Sequence, residues 1–297
     1  MDKYKKFCIV TSLSTLLGLL AVAVFVAVID PFFHYHPPLA GLSYKFDNQN
    51  YVNPGIVRQF EYDTLITGTS MTENFRPSVF AEILGANAVK TPFMGGKTKN
   101  FTELMARAFA ANPALQTVYF GLDLHMLDDP EPALPRDPFP TYLYDQNPLN
   151  DVSYLLNKSV LIYNALPFIT RTLAGEAPMS FDEYSYWQDT RIPGEFAKRY
   201  RLEDSRASAS LPRAELLALA KAHLDGNLVP LIAANPQIEF VIFFPPYSIA
   251  YWYGRDVDDM LAVLSYAMET LLAYDNVRLF FPMNDAEIVT DLKNYHD

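Results

Sequence analysis

From residue 62 onward, short apolar runs alternate with stretches in which apolar side chains recur every three or four positions. Such alternation marks parallel strands joined by crossover helices, and it predicts an α/β fold: a three-layer α/β/α sandwich, flavodoxin-like, with about five parallel strands. The apolar runs fall at 64–67, 88–90, 117–122, 238–244 and 277–281. Between them, Phe75, Val79, Phe80 and Ile83 keep helical spacing, as do Leu104, Ala108 and Ala111, and later Met260, Leu261, Leu264 and Met268. Asn100 and Glu103 resemble a capping box, Asn112-Pro113 a stop, and Pro212 the first position of a helix carrying Leu216, Leu219 and Ala220. The predicted strand order is 2-1-3-4-5.

The start of the chain follows another pattern. Residues 7–29 carry no charge and suffice to span a bilayer as a helix. Lys3, Lys5 and Lys6 precede this run and Asp30 follows it, which places the N-terminus in the cytoplasm and the body outside a single-pass membrane anchor. A signal peptide cleaved near Ala21-Val22-Ala23 is the rival reading, but the run exceeds the usual signal core. Three regions follow: 1–30 as N-terminus and anchor, 31–61 as a juxtamembrane segment, and 62–297 as the α/β domain. In the second, Phe32, Phe33 and Tyr35 suit the headgroup layer, while His34 and His36 lack a third metal ligand and read as structural. The proline- and aromatic-rich stretch at about 127–211 breaks the alternation and reads as an insertion over the sheet edge, either shaping a substrate groove or serving as a structural flap.

Charge narrows the function. A net charge of −11 argues against nucleic-acid binding, and no metal-ligand cluster, Walker loop or dinucleotide fingerprint implies a cofactor. The lone cysteine, Cys8, sits in the anchor, so the body depends on its core and not on disulfides.

Chemistry gathers where the strands end. In a parallel sheet with right-handed crossovers all carboxyl ends share one edge, which here collects Ser70, Gly95, Gly96, Asp123, Tyr247 and whatever follows Phe281. Ser70 follows a strand in Gly68-Thr69-Ser70, and turn N–H groups beside it would stabilise an oxyanion. The plainer reading is that Thr69 and Ser70 cap the next helix, which the periodicity opens directly behind them. A serine nucleophile needs a base.

Gly68-Thr69-Ser70, the glycine turn after the second strand and Gly121-Leu122-Asp123 after the third resemble the SGNH (GDSL-like) hydrolase superfamily, in particular its membrane-anchored cell-envelope branch, similar to the DltD and alginate O-acetylation proteins. The resemblance covers roughly residues 50–297. It implies Ser70 as nucleophile, Gly95 or Gly96 as an oxyanion N–H, and Asp123 where the superfamily usually carries an oxyanion asparagine. Its base comes from an Asp-x-x-His motif. Asp297 matches that aspartate, with the histidine expected three residues further on, so the chain reads as a fragment short of its base. His125 is the alternative base, since Asp123-Leu124-His125 echoes the Asp-x-His pair of the alginate branch, though there the pair precedes the serine. His296 fits only with a rebuilt loop, and His223 reads as a surface residue. The resemblance implies an esterase or O-acyltransferase acting on acyl esters of an envelope polysaccharide, and a membrane-bound O-acyltransferase partner. A catalytically inactive glycan-binding or scaffold role is the alternative.

Overall fold

A computed structural model describes residues 2–131, 139–188, 211–253 and 255–295. In chain order these form α1 (Lys3–Ile29), α2 (Gln49–Gln59), β1 (Thr64–Gly68), α3 (Pro77–Leu84), β2 (Ala88–Pro92), α4 (Thr98–Ala111), β3 (Thr117–Gly121) and α5 (His125–Asp128). They continue with α6 (Val152–Leu155), a π-helical segment Val160–Ala165 running into α7 (Leu166–Leu173), and α8 (Arg213–His223). A second π segment, Leu224–Leu228, joins α8 to α9 (Val229–Ala234), followed by β4 (Glu239–Phe243), α10 (Ile249–Tyr253), α11 (Val257–Leu271), β5 (Val277–Phe280) and α12 (Ala286–Thr290). They divide into two compact units, residues 1–60 with 135–180, and residues 61–134 with 181–297.

The second unit carries the sheet: five strands, all parallel, in the order β2-β1-β3-β4-β5. Helices cover both faces. On one, Phe75 stacks on Phe243 at 5.2 Å and Phe80 of α3 meets Tyr119 edge-on at 4.8 Å. On the other, Phe101 and Phe109 of α4 meet Phe120 and Phe240 at 5.5 and 5.9 Å. Phe101, Phe120 and Phe240 are wholly buried, each contributing about 2–3 kcal/mol through removal from water. The chain is thus α/β, as its alternation predicts.

Register explains the two strand-end glycines. Gly68 pairs with Gly121 across β1 and β3. A Cβ on Gly68 would lie 2.6 Å from Thr72 Cγ2, and one on Gly121 2.9 Å from the same methyl. Gly68 also holds φ +152°, which side chains rarely adopt. The paired glycines therefore seat the Ser70 turn directly over the strand ends.

Several local expectations need correction. Only one 3₁₀ turn, Ser70–Thr72, follows β1, and the helix proper waits until Pro77. Helix α4 opens at Thr98 with Lys97 as its N-cap, and Asn100 reaches back to the Lys97 N–H at 3.2 Å instead of starting the helix. Pro212 is the N-cap of α8, one residue before its first turn.

In the first unit, α1 is long and apolar enough to cross a membrane. Helix 213–234 passes the same length test, but Leu216, Ala220, Leu224, Leu228 and Ile232 are buried in the second unit. The headgroup assignment of Phe32 and Phe33 fails: both are buried, and Phe33 packs among Tyr44, Phe46, Phe60 and Phe168. Gly55 of α2 allows this, since a Cβ there would sit 1.9 Å from the Phe32 carbonyl. Asp30, fully buried just past α1, accepts N–H bonds from His34, Tyr35 and His36 and the hydroxyl of Tyr154. His34 faces Asp151 at 3.3 Å, and the His36 ring contacts the carbonyls of Pro37 and Ala27.

Candidate functional site

The parallel register brings the ends of β1, β2, β3 and β4 to one edge, followed respectively by Ser70, the Gly95-Gly96 turn, Asp123 and Tyr247. Asp123 joins two of these strand ends. Its Oδ2 accepts a 2.7 Å bond from the Thr69 hydroxyl, and its Oδ1 faces His125 Nδ1 at 3.4 Å. The second contact is at the outer limit of a hydrogen bond, and Oδ1 has no shorter partner among the described residues. Asp123 is only 3% exposed, so it contacts these partners and not water.

His125 opens the short helix α5 and keeps its side chain about one-third exposed. Burial works against its charged form, but the Asp123 carboxylate and a backbone bond to Gly96 outweigh it, and the pKa rises above the ordinary 6.5. Nearby, burial pushes the Asp128 carboxyl up, against the pull of His125 and Arg255.

Ser70 begins the 3₁₀ turn, partly exposed, and its hydroxyl has no hydrogen-bond partner among the described residues. The turn is fixed from beneath: Thr69 Oγ1 accepts from Met71 N–H, and Thr72 Oγ1 donates to the Thr69 carbonyl at 2.8 Å. Behind it, fully buried Lys90 donates to the Glu73 carbonyl at 2.5 Å, and Trp187 Nε1 donates to the Glu73 carboxylate at 2.7 Å.

The two glycines of the β2 turn differ. Gly96 N–H donates to the Phe93 carbonyl at 3.0 Å and closes the turn, so it is committed. The N–H groups of Gly95 and Ser70 have no acceptor among the described residues. This glycine turn is tied to α5 by Thr98 Oγ1 donating to the Met126 carbonyl and by the Lys97–Asp129 ion pair. His223 is buried, not on the surface as expected, and its Nε2 donates to the Asp129 carbonyl at 2.7 Å.

Beyond β4, the Tyr247 and Tyr251 rings meet at 4.0 Å, tilted by 34°, and the Arg255 guanidinium lies 3.6 Å over the Tyr251 ring. Burial first, then the charges of Asp128 and Asp123, raise the Tyr251 pKa to about 12 against the pull of Arg255. Asp128, Tyr251 and Arg255 escape sequence reasoning because only the folded chain brings their charges within reach of one another. Asp297 and His296 lie outside the described residues.

No protein-family model matches the chain, and no curated protein matches it. A solved structure described as "a putative platelet activating factor from Streptococcus pneumonia" is similar over 84% of this chain and 78% of that one, at 12% identity and a TM-score of 0.39. Among the described residues, no group of three His, Cys, Asp or Glu side chains could hold a metal ion.

Proposed function

We propose that the chain is a membrane-anchored serine esterase or O-acyltransferase in which Ser70 carries the acyl group and His125, oriented by Asp123, is the base. The observation that carries the reading is the bridge made by Asp123: one carboxylate oxygen holds Thr69, the neighbour of Ser70, and the other faces His125. A serine hydroxyl is a weak nucleophile until a base accepts its proton; with Nδ1 on the carboxylate, the far nitrogen of the imidazole would do so once the ring exchanges its backbone bond to Gly96 for the serine. The reading departs from the family resemblance at the base, replacing the histidine expected beyond Asp297 with His125.

In this scheme His125 takes the proton of Ser70 Oγ as the oxygen attacks the ester carbonyl. The Ser70 and Gly95 N–H groups would receive the developing oxyanion, with Asp123 serving the imidazole instead of that hole. His125 then protonates the departing alcohol, and water or a sugar hydroxyl releases the acyl group by the reverse sequence. An extracytoplasmic body on a membrane anchor fits an acyl ester on an envelope polysaccharide. The inactive glycan-binding reading is favoured by the Tyr247, Tyr251 and Trp252 rings at the end of β4.

The test is turnover of p-nitrophenyl acetate and of O-acetylated envelope polysaccharide by the full chain, beside Ser70→Ala and His125→Ala. Both variants should lose about a thousandfold or more. Full activity in Ser70→Ala would discard Ser70 as the nucleophile, and no turnover by the wild type would discard the enzyme; full activity in His125→Ala alone would return the base to the family's position.

A further inference from the structure

We infer that α6 and the Val160–Leu173 segment rest in the outer face of the lipid bilayer, as a collar around the end of α1. The inference rests on the anchor reading of α1, and deepens it from a tether to a seated platform.

Three observations lead there. First, α1 is exposed along residues 3–21, and its buried positions, Val26 and Ile29, fall in the last two turns. The elements packed on α1 are α6 and the Val160–Ala165 segment, so they sit at its outer end. The apolar run of α1 is about 34 Å long at helical rise, against a hydrocarbon core of about 30 Å. Spanning the bilayer therefore leaves its last turns at the lipid–water boundary, with the packed elements beside them.

Second, these elements turn apolar side chains outward. Val152 is 54% exposed, Tyr163 64%, Leu166 42% and Leu173 82%, with Ile162 and, next to α6, Leu156 close behind. Val160, Ala165 and Phe168 point inward, so the outward residues form a distinct second apolar face and not a frayed core.

Third, charge is missing where water would favour it. Across residues 149–173 the charged side chains are Asp151, Lys158 and Arg171, the last paired with Glu176 at 2.6 Å. Asp151 is buried, accepting the Tyr35 hydroxyl at 3.0 Å and facing His34. Exposed Lys158 can reach its ammonium into the headgroups while its stem lies along lipid. Apolar side chains continuous with a spanning helix, a tyrosine and two cations near the segment's ends match an interfacial segment. The occupant is thus the bilayer.

Seating the first unit this way restrains the tilt and rotation of the anchor through a second contact. A single helix followed by a flexible tether would leave both free.

The experiment uses the full chain in phosphatidylcholine nanodiscs, in a Cys8→Ser background, because Cys8 is the sole cysteine. Nitroxides are attached at Leu156→Cys, Tyr163→Cys and Leu166→Cys, with Leu16→Cys in α1 and Glu82→Cys on α3 as references. Collision rates with oxygen and with a water-soluble nickel chelate then report lipid and water exposure. The collar sites should favour oxygen as Leu16→Cys does, with nickel collisions several-fold below those at Glu82→Cys. Nickel rates equal to Glu82→Cys, while Leu16→Cys remains in lipid, overturn the collar and leave the anchor standing. Nickel access at Leu16→Cys, or its absence from the mature chain by mass, overturns both.

Discussion

Lys90 offers a sharp physical test of the packing behind Ser70. It is fully buried in β2, and burial lowers its pKa from 10.5 to about 8 although Asp182 and Glu73 pull it upward. Between those two values the unfolded chain holds a proton that the folded chain has released, so stability rises with pH across that window. Below about 8 both states are protonated, and the cost of burying the cation is constant. The fall from 10.5 to about 8, at about 1.4 kcal/mol for each pH unit, sets a full span of about 3 kcal/mol. About 2 kcal/mol of it lies between pH 7.5 and 9.5. Lys90→Met keeps the bulk and removes the titration. Urea unfolding of the full chain in detergent, followed by the two tryptophans, reports the right unit, because Trp187 and Trp252 both belong to the second. Tyrosine ionisation is common to both proteins and cancels in their difference. The wild type should gain about 2 kcal/mol on the variant from pH 7.5 to 9.5. Parallel stability curves would refute the buried, cationic account of Lys90.

Three further outcomes are expected. In Asp123→Asn the imidazole loses the partner that raises its pKa, so the acidic limb of the pH–rate profile, lying above 6.5 in the wild type, should move to lower pH as kcat falls; an unmoved limb would separate His125 from that titration. Gly121→Ala places a Cβ 2.9 Å from Thr72 and 3.0 Å from the Phe243 ring, and should cost about 1–3 kcal/mol in the same urea titration. Asp30→Ala removes the acceptor of four hydrogen bonds and should cost at least about 3 kcal/mol locally, seen as new proteolytic cleavage within residues 31–48; an unchanged digest would count against the role of Asp30.

Strand positions were legible because doubly covered parallel strands are apolar runs, and the order 2-1-3-4-5 is that of the flavodoxin-like fold which the alternation predicts. Helix α2 was not, since Pro54 lies inside it and its glycine packs on the backbone of Phe32, a contact without periodicity. Phe32 and Phe33 read as interfacial because aromatics after an anchor look alike whether lipid or a protein core receives them. At the site, the two-residue spacing and the resemblance to an Asp-x-His pair suggested Asp123 and His125 together. The Thr69 bond that ties them to the Ser70 turn needed the β1–β3 register, and the free Gly95 against the committed Gly96 needed the turn itself.

The most direct measurement of the central claim is labelling of the full chain by a serine-directed fluorophosphonate, mapped by peptide mass spectrometry. The account predicts one adduct on Ser70, formed much faster above the His125 pKa than below it, and slowed about a thousandfold or more in His125→Ala. An unlabelled Ser70, or labelling at the same rate and pH dependence without His125, would contradict it.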